Sequence, residues 1–379
     1  MSTAVYALSG DPLTFGHLDI IKRAAAVFDK LVVAIGVNPD KNYLFSEQER
    51  VELAEKAVRG IDNVEVTAFS GLLVDFAYET GANVIVKGVR NPTDFEYENN
   101  LFCLGDTQEL GIDTFVLLAR KELQHVSSSA VKSIQKEQGL IHGYVPLPVK
   151  QALEAKLSHQ YIVSVTGEIG AGKSYVSQEF VRLGKEQNLE VHNIELDEIT
   201  HQIYQELPQP KYQQIRDTIA QKFGPEVQND DGTINRKVLG EIVFQDVQKL
   251  AKLNKIMAQP LMVRIRRELY GKKGLIFLNA ALIIESNMSF LSNNNVCLIK
   301  TDQETQKRRL TQRNLTDEQI ERRLASQYNF EQKKTKMQQI MEQDQYGHIW
   351  EIENSVNQDG SQIKNVFKQI VDYFKLHAS

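Results

Sequence analysis

The sequence predicts an α/β protein built of two doubly wound, largely parallel sheets. Three observations carry that expectation. Over residues 1–157 short apolar runs alternate with amphipathic stretches, the pattern of strands joined by crossover helices. At Tyr161 the pattern restarts as strand, glycine-rich loop and helix. The chain has 379 residues, 42% hydrophobic and 25% charged, enough for two or three domains that each bury a core.

The elements follow in order. Val5 to Leu8 reads as a strand, and His17 to Phe28 as a helix with Leu18, Ile21, Ala24, Ala25 and Phe28 on one face. Leu31 to Val37 is a buried-type strand, and Ser46 with Glu49 is a capping-box start for a helix running to Val58. Val64 to Phe69 and Val84 to Val86 are strands flanking a helix from Leu72 to Glu79. Tyr144-Val-Pro-Leu-Pro interrupts the pattern, a short helix from Val149 to Leu157 follows, and Ser158-His-Gln leads into a strand from Tyr161 to Thr166. A boundary therefore falls between 1–157 and 158–379. Charge supports it: the first part has 15 Lys+Arg and 21 Asp+Glu, the second 29 and 28.

Composition excludes a disordered or collagen-like chain. The longest candidate span, Gly274 to Leu291, is interrupted by Asn279, Glu285, Ser286 and Asn287, short of the roughly 20 apolar residues a bilayer requires. The first residues lack a secretory pattern, and Cys103 and Cys297 match no metal-ligand spacing, so the expected location is the reducing cytoplasm, with no membrane partner. A net charge of −5 argues against a nucleic-acid partner. The sequence leaves a homo-oligomer open.

The sharpest motif is Gly167-Glu168-Ile169-Gly170-Ala171-Gly172-Lys173-Ser174, between a predicted strand and a helix from Tyr175 to Leu183. Glycines let successive N–H groups converge on phosphate oxygens; Lys173 reaches the β- and γ-phosphates and Ser174 ligates Mg²⁺. The next strand, Glu190 to Leu196, ends at Asp197, which reads either as a helix cap or as the carboxylate accepting the proton of an attacking hydroxyl. The loop, Ile194-Glu-Leu-Asp197, Phe223-Gly224 and Asp231-Gly-Thr-Ile-Asn-Arg236 together resemble the dephospho-coenzyme A kinase family. Val296 to Lys300 and the run from Glu304 to Arg313 resemble its last strand and lid. The resemblance implies ATP on residues 167–175, Asp197 and Lys173 as catalytic groups, and Arg309 and Arg313 on the transferring phosphate; both arginines also fit a solvated helix face. Gln259-Pro260 replaces the family's His-Pro, and Asn279-Ala-Ala-Leu282 its Val-Pro-Leu-Leu, changes that bear on acceptor binding.

In the first part, Thr14-Phe-Gly-His17 lies between a strand and a helix, at the sheet edge where α/β proteins bind ligands. Gly16 leaves room for a phosphate, and a His at a helix start either caps the helix or meets an anion. With Asp11-Pro12, Lys41, Ser70-Gly-Leu-Leu-Val-Asp, Lys87-Gly-Val-Arg90 through Glu98, and Val126-Ser-Ser-Ser129-Ala-Val-Lys132, this order of segments resembles the phosphopantetheine adenylyltransferase family, Rossmann-like nucleotidyltransferases. The resemblance implies that His17 and Lys41 act in catalysis, and that Ser9, Lys41, Leu73 and Lys87 hold 4′-phosphopantetheine. It places ATP on Ser9, Gly10, His17, Gly88, Val89, Arg90, Glu98, Leu123, Gln124, His125, Val126, Ser127, Ser128 and Ser129. Each has a plainer reading: Leu73 as core, the lysines as solvated, Glu98 as helix surface, the serines as a cap for Ala130 to Gln138. The family's opening Tyr-Pro-Gly-Thr-Phe-Asp-Pro is here Tyr6-Ala-Leu-Ser-Gly-Asp-Pro12, and Lys87 replaces a common Arg, keeping charge without the bidentate fork.

Since the product of the first reaction is the substrate of the second, the two resemblances imply the combination found in bifunctional coenzyme A synthases. The implied substrates are ATP, 4′-phosphopantetheine and dephospho-CoA, with Mg²⁺ at both sites. Two rival readings remain open at this stage: a nicotinamide-mononucleotide adenylyltransferase joined to a ribosylnicotinamide kinase, and an adenylyltransferase with a kinase-inactive regulatory half.

Overall fold

The computed structural model describes residues 2–37, 42–312, 316–355 and 360–376. The chain divides into two compact units, Met1–Leu157 and Ser158–Ser379.

The first unit holds strands β1 (Thr3–Leu8), β2 (Lys30–Gly36), β3 (Val64–Phe69), β4 (Val84–Val89) and β5 (Asp113–Leu118), in the spatial order β3-β2-β1-β4-β5. Every pairing is parallel. The strands are apolar on both faces because helices cover both. Ala4, Tyr6, Leu31, Val33 and Ile35 pack one way with Leu18 and Ile21, while Val5, Val32, Ala34 and Ile85 pack the other way with Ala77. The order reverses beside β1, so the crevice past the carboxyl ends of β1 and β4 is the expected ligand position.

Several boundaries differ from the sequence reading. The first helix is Phe15–Ala25 with Thr14 as its cap, so His17 is its third residue. β4 runs to Val89, because Gly88 allows close packing: a Cβ there would sit 2.8 Å from Ile20 Cγ1. Ser46 and Glu49 do form a capping box, on helix Glu47–Ala57. The last helix, Leu147–Leu153, continues as one wider turn, Glu154–Ser158.

The second unit holds β6 (Gln160–Gly167), β7 (Val191–Glu195), β8 (Gly274–Asn279), β9 (Asn295–Lys300) and β10 (His348–Glu353), ordered β10-β9-β6-β8-β7 and again all parallel. Val163, Val165, Phe277, Cys297, Ile299 and Ile352 face helices Lys173–Glu186 and Ser361–Phe374. Phe180 stacks on Phe277 with ring centroids 4.6 Å apart. On the opposite face Ser164 bonds Ser292 at 2.7 Å. Two readings are corrected here. β9 is not the last strand, since β10 adds beyond it, and Asp197 neither ends a strand nor caps a helix. Helix Leu196–Gln205 begins before it, with Glu195 at the cap position, so Asp197 lies in the first helical turn.

Candidate active sites

In the first unit a cleft of about 720 Å³ opens past the ends of β1 and β4. Ser9, His17, Lys87, Gly88, Arg90, Glu98, Leu123, Val126, Ser127, Ser128 and Ser129 all line it. The Thr14-x-Gly-His motif is a capping box with His in place of Glu. The Thr14 hydroxyl accepts from the His17 N–H, and the Thr14 N–H donates to His17 Nδ1 at 3.0 Å. Because Nδ1 accepts a hydrogen bond, the ring proton is on Nε2, which is left as a donor. Burial, with the Arg90 guanidinium adding to it, pulls the His17 pKa down to about 4, so the ring is neutral at pH 7.

The cations around it are held by carboxylates. Lys87 Nζ lies 2.7 Å from Glu98, Arg90 Nε bonds Asp94 at 2.8 Å, and Lys132 bonds buried Asp11 at 2.7 Å. Hydrogen bonding from Arg90 holds the Asp94 carboxyl below its usual range. Asp11 also accepts the Leu44 and Phe45 N–H groups, fixing the loop that brings Asn42 and Tyr43 to the cleft. The serines serve two ends: Ser127 caps helix Ser128–Lys136 by accepting from Ala130 N–H, and Ser128 donates to the Pro12 carbonyl.

Not every expected residue arrives at the cleft. Leu73 is half-buried against the core around Val5 and Val32, outside the residues lining the cleft, and Val89 is buried. Gly10, Gln124 and His125 do not line the cleft, and Lys41 lies outside the described residues. Sequence reasoning missed Tyr97, Asp94, Tyr43 and Arg50. Buried Arg50 donates to the carbonyls of Ser9 (2.6 Å) and Gly36 (2.8 Å), tying the residue just past β1 to the last residue of β2. Its only sequence signal is one cation in the charged helix Glu47–Ala57, which nothing distinguishes from its exposed neighbours.

In the second unit the loop 167–174 sits between β6 and helix Lys173–Glu186. Its carbonyls are taken by donors from elsewhere. Arg309 Nη1 donates to Gly170 and Ala171, Asn354 Nδ2 to Ala171 at 2.8 Å, and Gln306 Nε2 to Ile169. These bonds fix the directions of the loop carbonyls, and the Ala171 N–H itself donates to the Glu168 carbonyl at 3.1 Å. Gly172, at φ +92°, has no space for a side chain: a Cβ would meet Asn354 Nδ2 at 2.2 Å. Lys173 Nζ donates to the Gly167 and Glu168 carbonyls. A cleft of about 660 Å³ is lined by Ile169, Gly170, Gly172, Lys173, Ser174 and Asp197, and a smaller one by Tyr175 and Arg309. Glu168 faces elsewhere, accepting from Phe330 N–H and Gln306, and Ala171 is buried. Arg313 lies outside the described residues. Lys333, which the sequence did not single out, is buried against Glu285 and the Ala281 carbonyl, below the same cleft wall.

Comparison with known proteins separates the units. The Cytidylyltransferase-like family matches residues 9–134 and the Dephospho-CoA kinase family residues 161–347. A phosphopantetheine adenylyltransferase of Clostridium beijerinckii is 47% identical over 146 residues, 38% of this chain and 92% of the relative.

The chain belongs to the phosphopantetheine adenylyltransferase family.

The Limosilactobacillus reuteri enzyme of that family is 41% identical over 44% of this chain and 95% of its own length. A dephospho-CoA kinase structure from Campylobacter jejuni is similar at 22% identity and TM-score 0.36, over 57% of this chain and 98% of that one. An adenylyltransferase domain is thus followed by a dephospho-CoA kinase domain, the architecture of a bifunctional coenzyme A synthase.

Proposed function

We infer that this chain performs the last two steps of coenzyme A synthesis, one in each unit. The observation that carries the reading is the succession of the two matched domains, each with a cleft at the carboxyl ends of its parallel strands.

In the first cleft a phosphate oxygen of 4′-phosphopantetheine attacks the α-phosphorus of ATP, and the bond from that phosphorus to the bridging oxygen breaks, releasing pyrophosphate. No covalent enzyme intermediate is needed, so catalysis is positioning and charge stabilisation. His17 donates from Nε2 to the α-phosphate as charge gathers there. Ser9, Lys41 and Lys87 hold the acceptor phosphate, while Arg90, Glu98 and residues 127–129 hold ATP. Lys87 and Arg90 leave their carboxylates as substrate phosphates take their place.

In the second cleft the 3′-oxygen of dephospho-CoA attacks the γ-phosphorus of a second ATP and ADP leaves. Asp197 takes the hydroxyl proton, Lys173 follows the γ-phosphate, and the lid arginines Arg309 and Arg313 close on the transferring group. Mg²⁺ fits this site as an ion carried in with the nucleotide: Ser174 offers a hydroxyl, and the described residues contain no cluster of three or more acidic, His or Cys groups to hold one unaided. It would neutralise phosphate charge, with Ser174 as its protein ligand. No described helix is long and apolar enough to cross a membrane, and the reading places the enzyme in the cytoplasm with its substrates.

The test is a product assay by mass with 4′-phosphopantetheine, ATP and Mg²⁺. Wild type should yield CoA, pyrophosphate and ADP; Lys173→Ala should stop at dephospho-CoA, and His17→Ala should make neither product. Wild type that halts at dephospho-CoA would overturn the kinase assignment.

A further inference from the structure

The kinase cleft holds more positive charge than its phosphate loop accounts for. Besides Lys173 it is lined by Arg236, Lys237 and Arg323. Arg236 and Lys237 occupy the first turn of helix Arg236–Val243, which has no acidic residue there, so two cations sit where the helix dipole favours anions. Arg323 comes from another element, helix Asp317–Ala325, with its guanidinium 5.7 Å from the Phe244 ring centre. Among the described residues none of the three has a carboxylate at ion-pair distance. Arg236 meets Nδ1 of His201 at 3.3 Å, an uncharged partner among the described residues.

A second observation points to a ligand in the same place. Asn279, at the carboxyl end of β8, is 5% exposed and lines this cleft, yet its Nδ2 has no acceptor among the described residues. An unsatisfied buried donor costs about 1–3 kcal/mol unless a ligand oxygen meets it. Leu253 and Met257 supply an apolar wall to the cleft.

We propose that Arg236, Lys237 and Arg323 form a second phosphate subsite that holds the diphosphate bridge of the acceptor nucleotide, with Asn279 donating to an oxygen of its ribose. This rests on the kinase reading above. The phosphate loop is occupied by ATP, so an acceptor carrying its own diphosphate brings two further negative charges into the cleft. The cations outside the loop are the groups available to meet them, and the apolar wall receives the uncharged arm. The neutral amide of Asn279 suits a ribose hydroxyl, which can accept its hydrogen bond without a charge to be balanced.

The experiment measures steady-state kinetics of the full chain with dephospho-CoA and ATP, beside calorimetric binding of dephospho-CoA without ATP. Lys237→Gln and Arg323→Gln should each raise the KM for dephospho-CoA about tenfold, and the double variant about a hundredfold, as expected for charge-assisted hydrogen bonds. Asn279→Leu should raise it about fivefold. In all of them kcat and the KM for ATP should stay within about twofold, and the calorimetric affinity should fall in parallel. An unchanged KM and affinity for dephospho-CoA, or an equal rise in the KM for ATP, would overturn the subsite. Wild type that makes no CoA from dephospho-CoA would instead contradict the kinase reading, and the calorimetric arm would still decide the subsite.

Discussion

At the scale of single residues, His17 shows how a weak motif acquires a defined role. The Thr14 amide occupies Nδ1, so the ring presents one N–H and no charge. A neutral donor is enough to stabilise growing negative charge on a phosphate, and a glutamine in place of His17 offers a comparable N–H. His17→Gln should therefore keep more transferase activity than His17→Ala, with the difference in kcat rather than in the KM for ATP. The same residue makes stability pH-dependent. Its pKa is lowered from 6.5 to about 4, so between those values the unfolded chain binds a proton that the native one does not. Stability from this group therefore falls as the pH drops through that window, by about 2 kcal/mol at pH 5. Thermal melts at pH 7 and pH 5 check this: wild type should lose more Tm than His17→Gln over the interval, and equal losses would refute the depressed pKa.

At the scale of elements, the phosphate loop is shaped by groups the motif does not contain. Asn354, just beyond β10, donates to the Ala171 carbonyl from a buried position and fills the space that Gly172 leaves open. Asn354→Ala removes that donor and leaves room for the loop to turn, so the KM for ATP in the kinase step should rise about fivefold while the transferase step is unchanged. Equal losses in both steps would point to general unfolding instead. This contact also marks the limit of what was legible beforehand. Gly167 to Ser174 could be read because each residue type answers a local need of phosphate binding. Asn354 follows Ala171 by 183 residues of chain, and the parallel pairing of β10 with β9 brings it to the loop. Arg50 and Lys333 escaped for a related reason. Each is a cation in a charged helical stretch, and its burial depends on carbonyls or a carboxylate supplied from other elements. Leu73 is half-buried against the core around Val5, a packing that its apolar type alone already suggests. The fold class was readable because strand–helix alternation is local, whereas boundaries moved where a cap or a close-packed glycine lies, at Thr14 and Gly88.

At the scale of the whole molecule, the two chemistries rest on separate cores. The clusters around Ala4, Leu13 and Ile35, around Phe45 and Leu153, and around Val5 and Ala77 draw only on residues up to Leu157. The cluster around Val163, Phe180 and Phe367 draws only on residues beyond it, and each five-stranded sheet is completed within its own unit. A hydrophobic core and a closed set of strand pairings are what a domain needs to fold alone. Residues 1–157 and 158–379, produced as separate chains, should therefore both be folded. The first should convert 4′-phosphopantetheine to dephospho-CoA and stop, and the second should convert added dephospho-CoA to CoA, each with a kcat within about threefold of the full chain. Calorimetry of the full chain should resolve two unfolding transitions, of which ATP with 4′-phosphopantetheine raises the one seen in the first fragment and dephospho-CoA the one seen in the second. A single cooperative transition, together with fragments that lack near-ultraviolet circular dichroism, would show that neither core is sufficient without the other.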